Sequence, residues 1–123
     1  MKKYLLLLLV VAAQNLMAQS SVKEVLQQFP YQQKNTIDAS LVKMDQWSKA
    51  EWNEFFALLN DTSTQVAPSY AIHAYVSAHA VDPQGRATAN ALLNKYKRKL
   101  TNETARILIE QELKQLQDPS IVA

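Results

Sequence analysis

The sequence predicts an all-α protein behind a secretory leader, and three observations carry that expectation. Glycine occurs once, at Gly85, whereas strands joined by tight turns draw on glycine repeatedly. Helix-start signals recur along the chain as Ser-x-x-Glu boxes and Asp-Pro pairs. Between these signals apolar residues return every three or four positions, the period of a helix with one buried face.

The leader is read from charge and hydropathy. Lys2 and Lys3 give a positive start, Tyr4 to Ala13 is an unbroken apolar run, and Leu16-Met17-Ala18 ends in the small residue that signal peptidase requires. A membrane-spanning helix needs about 18 or more apolar residues. Gln14 and Asn15 interrupt this run well short of that. The expected division is therefore a signal peptide over residues 1–18 and a mature domain over residues 19–123, placed in the periplasm or outside the cell.

The chain has no cysteine. That excludes a lipid-modified cysteine at the cut site, disulfides, thiolate metal sites and a cysteine nucleophile, so stability must come from helix packing. Apolar residues make up 48% and charged residues 20%, the balance of one folded globular domain rather than a disordered chain. The formal charge of +2 includes Lys2 and Lys3, and without them eleven basic residues face eleven acidic ones. A neutral mature domain gives no reason to expect nucleic acid or an acidic membrane as partner.

Ser21-Val22-Lys23-Glu24 has the form of a capping box, and Val22, Val25, Leu26 and Phe29 follow at helical spacing until Pro30. Between Tyr31 and Gln46, Ile37, Leu41 and Met44 share a face behind a Thr36 cap, in a segment that is helix or partly loop. Ser48-Lys49-Ala50-Glu51 is a second capping box, and Trp47 and Trp52 flank it as a hydrophobic staple. Trp52, Phe55, Phe56 and Leu59 then form one stripe, closed by the polar loop from Asn60 to Thr64.

From about Val66 to Val81 the apolar residues go nearly all round. Tyr70, Ala71, Ala74 and Ala78 cover one side and Ile72, Tyr75 and Val76 the other, as expected of a central helix sandwiched by neighbours. Asp82 caps the next helix with Pro83 at its first position, and the stripe Ala89, Leu92, Leu93, Tyr96 and Leu100 carries it to about Leu100. Thr101 or Asn102 opens the last full helix, with Ala105, Leu108, Ile109, Leu113 and Leu116 inward and Ile107 outward. Asp118-Pro119 repeats the helix-start signal near the end of the chain.

The chemistry-bearing residues are few. His73 and His79 are six apart, which turns them about 120° from each other on a helix, whereas helical zinc pairs are spaced by three or four. His73 lies on the polar strip beside Ser77, and His79 in an apolar arc near Tyr75. Glu51 and Glu54 share a face, but the capping box already accounts for Glu51. Glu112 falls inside the apolar stripe between Leu108 and Ala105, where Arg86, Arg106 or the rim of the domain would receive it. The basic run from Lys95 to Lys99 sits near a helix C-terminus, where the macrodipole favours cations. One glycine excludes a phosphate-binding glycine loop and a Gly-x-Ser-x-Gly elbow, and no His-Glu-x-x-His occurs. Asn60-Asp61-Thr62 and Asn102-Glu103-Thr104 match the N-glycosylation pattern. This reading names no catalytic, cofactor-binding or metal-binding residue.

Helix pairs with short polar turns, an alanine-rich central helix and an Asp-Pro restart are habits of helical solenoids. Ser69-Tyr70-Ala71-Ile72-His73-Ala74-Tyr75-Val76-Ser77, Asn102-Glu103-Thr104-Ala105-Arg106 and Gln117-Asp118-Pro119-Ser120-Ile121-Val122-Ala123 resemble the HEAT-like repeat module of secreted bacterial proteins. The resemblance implies a short right-handed α-solenoid of helical hairpins, often the N-terminal part of a longer polypeptide and sometimes preceding a jelly-roll domain linked to sugar hydrolysis. It brings no catalytic residues. The chain departs from the pattern by stopping after about two repeats, without a terminal cap. The expected role is a non-enzymatic scaffold or protein-interaction module, whose partner is another protein or a downstream domain of the same chain. A self-contained helical enzyme or ligand-binding domain using His73, His79 or Glu112, acting on carbohydrate, is the alternative. The leader reading predicts that the exported protein begins at Gln19; N-terminal sequencing that finds an intact Met1 on membrane-bound material would overturn it.

Overall fold

The computed structural model describes residues 21–29 and 33–117. The leader, the Pro30 stop and the Asp118-Pro119 restart lie outside the described residues. Within them every regular element is helical: α1 (21–26), α2 (Lys34–Asp45), α3 (Lys49–Asn60), a 3-10 turn (Thr62–Thr64), α4 (Val66–His79), α5 (Pro83–Lys97) and α6 (Glu103–Gln117). None of these helices is long and apolar enough to cross a membrane.

The central position expected for α4 is what its packing shows, because it touches α2, α3, α5 and α6. Pro68, Ala71, Ile72, Tyr75 and Val76 are its buried residues. Its apolar surface is nevertheless not covered all round, since Tyr70 remains 54% and Val66 64% exposed. Among the described residues, the four neighbouring helices leave the strip that carries Val66, Tyr70 and His73 exposed.

An aromatic cluster ties α3 to the helices around it. Trp47 and Trp52 meet edge to face at 4.8 Å, as the staple requires, and Trp52 also meets Phe55 at 5.5 Å and Tyr75 of α4 at 5.3 Å. Phe56 stacks flat on Tyr96 of α5 at 4.2 Å. Such pairs contribute about 0.5–1.5 kcal/mol each beyond their area burial.

Three helices start at the caps written in the sequence. The Ser48 hydroxyl accepts from the Glu51 amide at 3.4 Å and Glu51 Oε1 accepts from the Ser48 amide at 3.0 Å, closing the capping box. That backbone hydrogen bond from Ser48 holds the Glu51 carboxyl below the usual carboxylate range. Asp82 accepts from the Gly85 amide at 2.6 Å with Pro83 at the first helical position, and Asn102 accepts from the Ala105 amide at 3.0 Å.

Three boundaries differ from expectation. Ser21 is itself helical and does not cap; its hydroxyl accepts from the Trp47 indole at 3.2 Å, while Glu24 pairs with Lys43 at 3.5 Å. The α2 helix starts at Lys34 without a side-chain cap, two residues before Thr36, and its partly apolar face brings Met44 and Ser40 into the core. The α5 helix ends at Lys97 rather than near Leu100, because Lys99 and Leu100 donate to Tyr96 and Lys97 three residues back, in a tightening last turn.

Two loops are clasped to each other. Asn60 Oδ1 accepts from the amides of Thr101 and Asn102 at 2.9 and 2.8 Å, and its Nδ2 donates to the Thr101 hydroxyl at 2.9 Å. Asn102 in turn donates to Thr62 at 3.1 Å and accepts from Gln65 at 3.3 Å. The single glycine is explained at the α4–α5 corner, where a Cβ on Gly85 would overlap the carbonyl oxygen of His79. Helix propensity alone would make Gly85→Ala stabilising by about 1 kcal/mol. The overlap predicts the reverse, a loss of about 1–3 kcal/mol in urea unfolding; equal or greater stability of the variant would show that the corner yields.

Candidate functional site

The residues singled out in the sequence separate into two clusters, both anchored on α4. The two histidines diverge. His79 stacks on Tyr75 at 4.0 Å, its Nδ1 lies 2.8 Å from the Tyr75 carbonyl oxygen, and its Nε2 lies 2.9 Å from Asp45 of α2. Both ring nitrogens are thereby engaged, and the ring straps α2 to α4. Burial, with Asp45 nearby, pushes the Tyr75 phenol up to about 12.

His73 forms the other cluster with Glu112 of α6. Nδ1 lies 2.7 Å from Oε1 and 3.3 Å from Oε2 of the carboxyl. The His73 side chain is 54% exposed and that of Glu112 only 6%. The partner expected for Glu112 was Arg86, Arg106 or the rim. Arg86 instead donates to the Ala80 carbonyl at 2.9 Å, and the packing of α4 beside α6 supplies the imidazole. The angle of Glu112 within the apolar stripe signalled that a neighbouring helix must satisfy it, but that the helix is α4 requires the tertiary arrangement.

A histidine held by a carboxylate through one nitrogen is two-thirds of a relay whose third member would sit on Nε2. Among the described residues no hydroxyl hydrogen-bonds that nitrogen, and no group of three His, Asp or Glu side chains could hold a metal ion. The geometry suits a polar pin between two helices that leaves one imidazole edge on the surface.

A small groove of about 160 Å³ between α4 and α6 is lined by Val66 and Ser69 on one side and Thr104 and Leu108 on the other. Tyr70 and His73 continue the α4 strip, and Ile107, 47% exposed, follows Thr104 by one turn on α6. A second groove of about 460 Å³ lies between α1 and the α3–α4 junction, with Leu26, Leu58, Ala67 and Pro68 in its wall.

The remaining candidates are structural or solvated. Glu51 is occupied by its cap, and Tyr96, raised in pKa by burial, donates to Asn53 at 2.7 Å. Lys95 and Lys99 lie over the Tyr96 ring at 5.5 and 5.3 Å, and Lys97 pairs with Glu110 at 3.5 Å. No protein-family model, curated protein or solved structure gives a significant match to the chain.

The pin has a measurable signature. Replacing exposed His73 by alanine leaves the buried Glu112 carboxyl without its partner, at an expected cost of about 1–3 kcal/mol. The double variant His73→Ala/Glu112→Met should recover most of that loss, because an apolar side chain needs no partner there. Urea unfolding of the two variants checks this, and a His73→Ala protein as stable as the parent would remove the pin.

Proposed function

We propose that the chain is a secreted helical-repeat scaffold, a protein-interaction module that works by surface contact and forms the front part of a larger exported protein. The observation that carries this reading is the open face shared by α4 and α6. There Val66 and Tyr70 stand exposed on the α4 strip that carries His73, whose ring is fixed from behind by a buried carboxylate, and Ile107 stands exposed on α6. Exposed apolar side chains beside a fixed polar group form an anchor-and-pin surface suited to a protein segment.

The succession of contacts supports the solenoid reading. The helices α2, α4 and α6 meet at every second helix, and the Phe56–Tyr96 stack joins α3 to α5 in the same way. Stacked helix pairs bring alternate helices together and present one row of them as an extended surface. The leader pattern supports export to the periplasm or beyond, with no stable membrane anchor after cleavage. The partner is a protein or a downstream domain of the same chain, and neither nucleic acid nor a cofactor enters.

Photo-cross-linking residues placed at Tyr70 and at Ile107 in the exported protein should yield the same discrete product, identified by mass spectrometry. Thr88, exposed on α5, serves as the control position and should yield none. Cross-linking as strong from position 88 as from 70 and 107 would sink the assignment of the face.

A further inference from the structure

We infer that the outer groove between α5 and α6 is a binding site for a small molecule carrying a tetrahedral oxyanion, a phosphate or a sulfate group. A cavity of about 420 Å³ opens there, lined by Asn94, Lys97, Arg98, Leu100 and Arg106. Three of its five lining residues are cations and none is a carboxylate.

The cations of α5 have a bland explanation, because Lys95 and Lys97 in its last turn and Arg98 at its C-cap complement the negative end of the helix dipole. Arg106 does not share it. It stands four positions into α6, beside the positive end of that helix, where a cation is opposed by the dipole. Nor is it held by a counter-charge: neither Arg98 nor Arg106 makes an ion pair among the described residues, although Glu103 is one turn away on α6. Glu110, which lines the adjoining cavity, is already paired with Lys97 at 3.5 Å. Two unpaired guanidiniums from different helices thus flank one concavity.

The chemistry of the lining selects the ligand. Guanidinium offers parallel N–H donors that match the oxygens of a phosphate or sulfate group, whereas the charge of Lys97 is already met by Glu110. The buried Leu100 makes an apolar wall, and Asn94, whose Nδ2 donates to the Asn90 carbonyl at 2.9 Å, stands at the edge. The cavity exceeds a bare oxyanion, leaving room for a sugar-sized body behind it.

The test uses the exported protein labelled with nitrogen-15 and titrated with inorganic phosphate, inorganic sulfate, glucose 6-phosphate, glucose 6-sulfate and glucose. Saturable shifts of the Arg98 and Arg106 side-chain signals are expected with the four anions and none with glucose. The better of the two esters distinguishes the phosphate source from the sulfate source. Arg98→Gln and Arg106→Gln, both at exposed positions, should each weaken binding about tenfold and together abolish it. Lys23→Gln, on α1, should leave it unchanged, and thermal unfolding of each variant verifies that it is folded. The assignment is overturned if the folded double variant binds as the parent does, if Lys23→Gln weakens binding as much as the arginine variants, or if millimolar anion moves no arginine signal.

Discussion

Trp52 is the constraint on which the rest of the molecule depends. It closes the staple that fixes where α3 begins, then reaches Tyr75 of α4, so the start of one helix and the placement of the central one are set by a single indole. Phe56, one turn on, carries the same contact to α5 through Tyr96. The Trp47 indole extends the cluster to α1 through Ser21. In a chain with no disulfide to restrain it, this aromatic junction does the work of a cross-link, by area and ring geometry rather than covalency.

The polar pairs lie on the periphery of that junction and determine helix order. His79 joins α4 to Asp45 of α2, and His73 joins α4 to Glu112 of α6. The two histidines point apart because they serve opposite flanks of one helix, which is also why they cannot share a metal ion. A carboxylate as buried as Glu112 tolerates few neighbours, so its pairing disfavours any arrangement that places an apolar helix where α4 lies.

What could be read from the sequence was what is local. Ser48 and Glu51, Asp82 and Pro83, and Asn102 act within one turn of their own backbone, and each helix starts where its cap is written. Ser21 and Glu24 have the same spacing as a true capping box, yet Trp47 and Lys43, distant in sequence, take up their side chains. The spacing was identical and the competition was tertiary. Glu112 is the same lesson inverted: its misfit in an apolar stripe was visible, but its partner is 39 residues away. The open strip on α4 was marked by His73 and Ser77, but that Val66 and Tyr70 stay exposed along it follows only from where the neighbouring helices lie.

The clasp between the α3–α4 and α5–α6 turns has a consequence for how the protein can be made. Asn60 and Asn102 are the acceptor asparagines of the two glycosylation patterns, and both use their side-chain amides to hold the turns together. In a eukaryotic secretory host the transferase meets the chain before it folds, and a sugar on either nitrogen would place a bulky group where the two turns close on each other. Glycan occupancy and a closed clasp thus compete for the same space. A bacterial host without that transferase spares the clasp, so material from the two sources would differ in how well the turns are joined, although its sequence is the same.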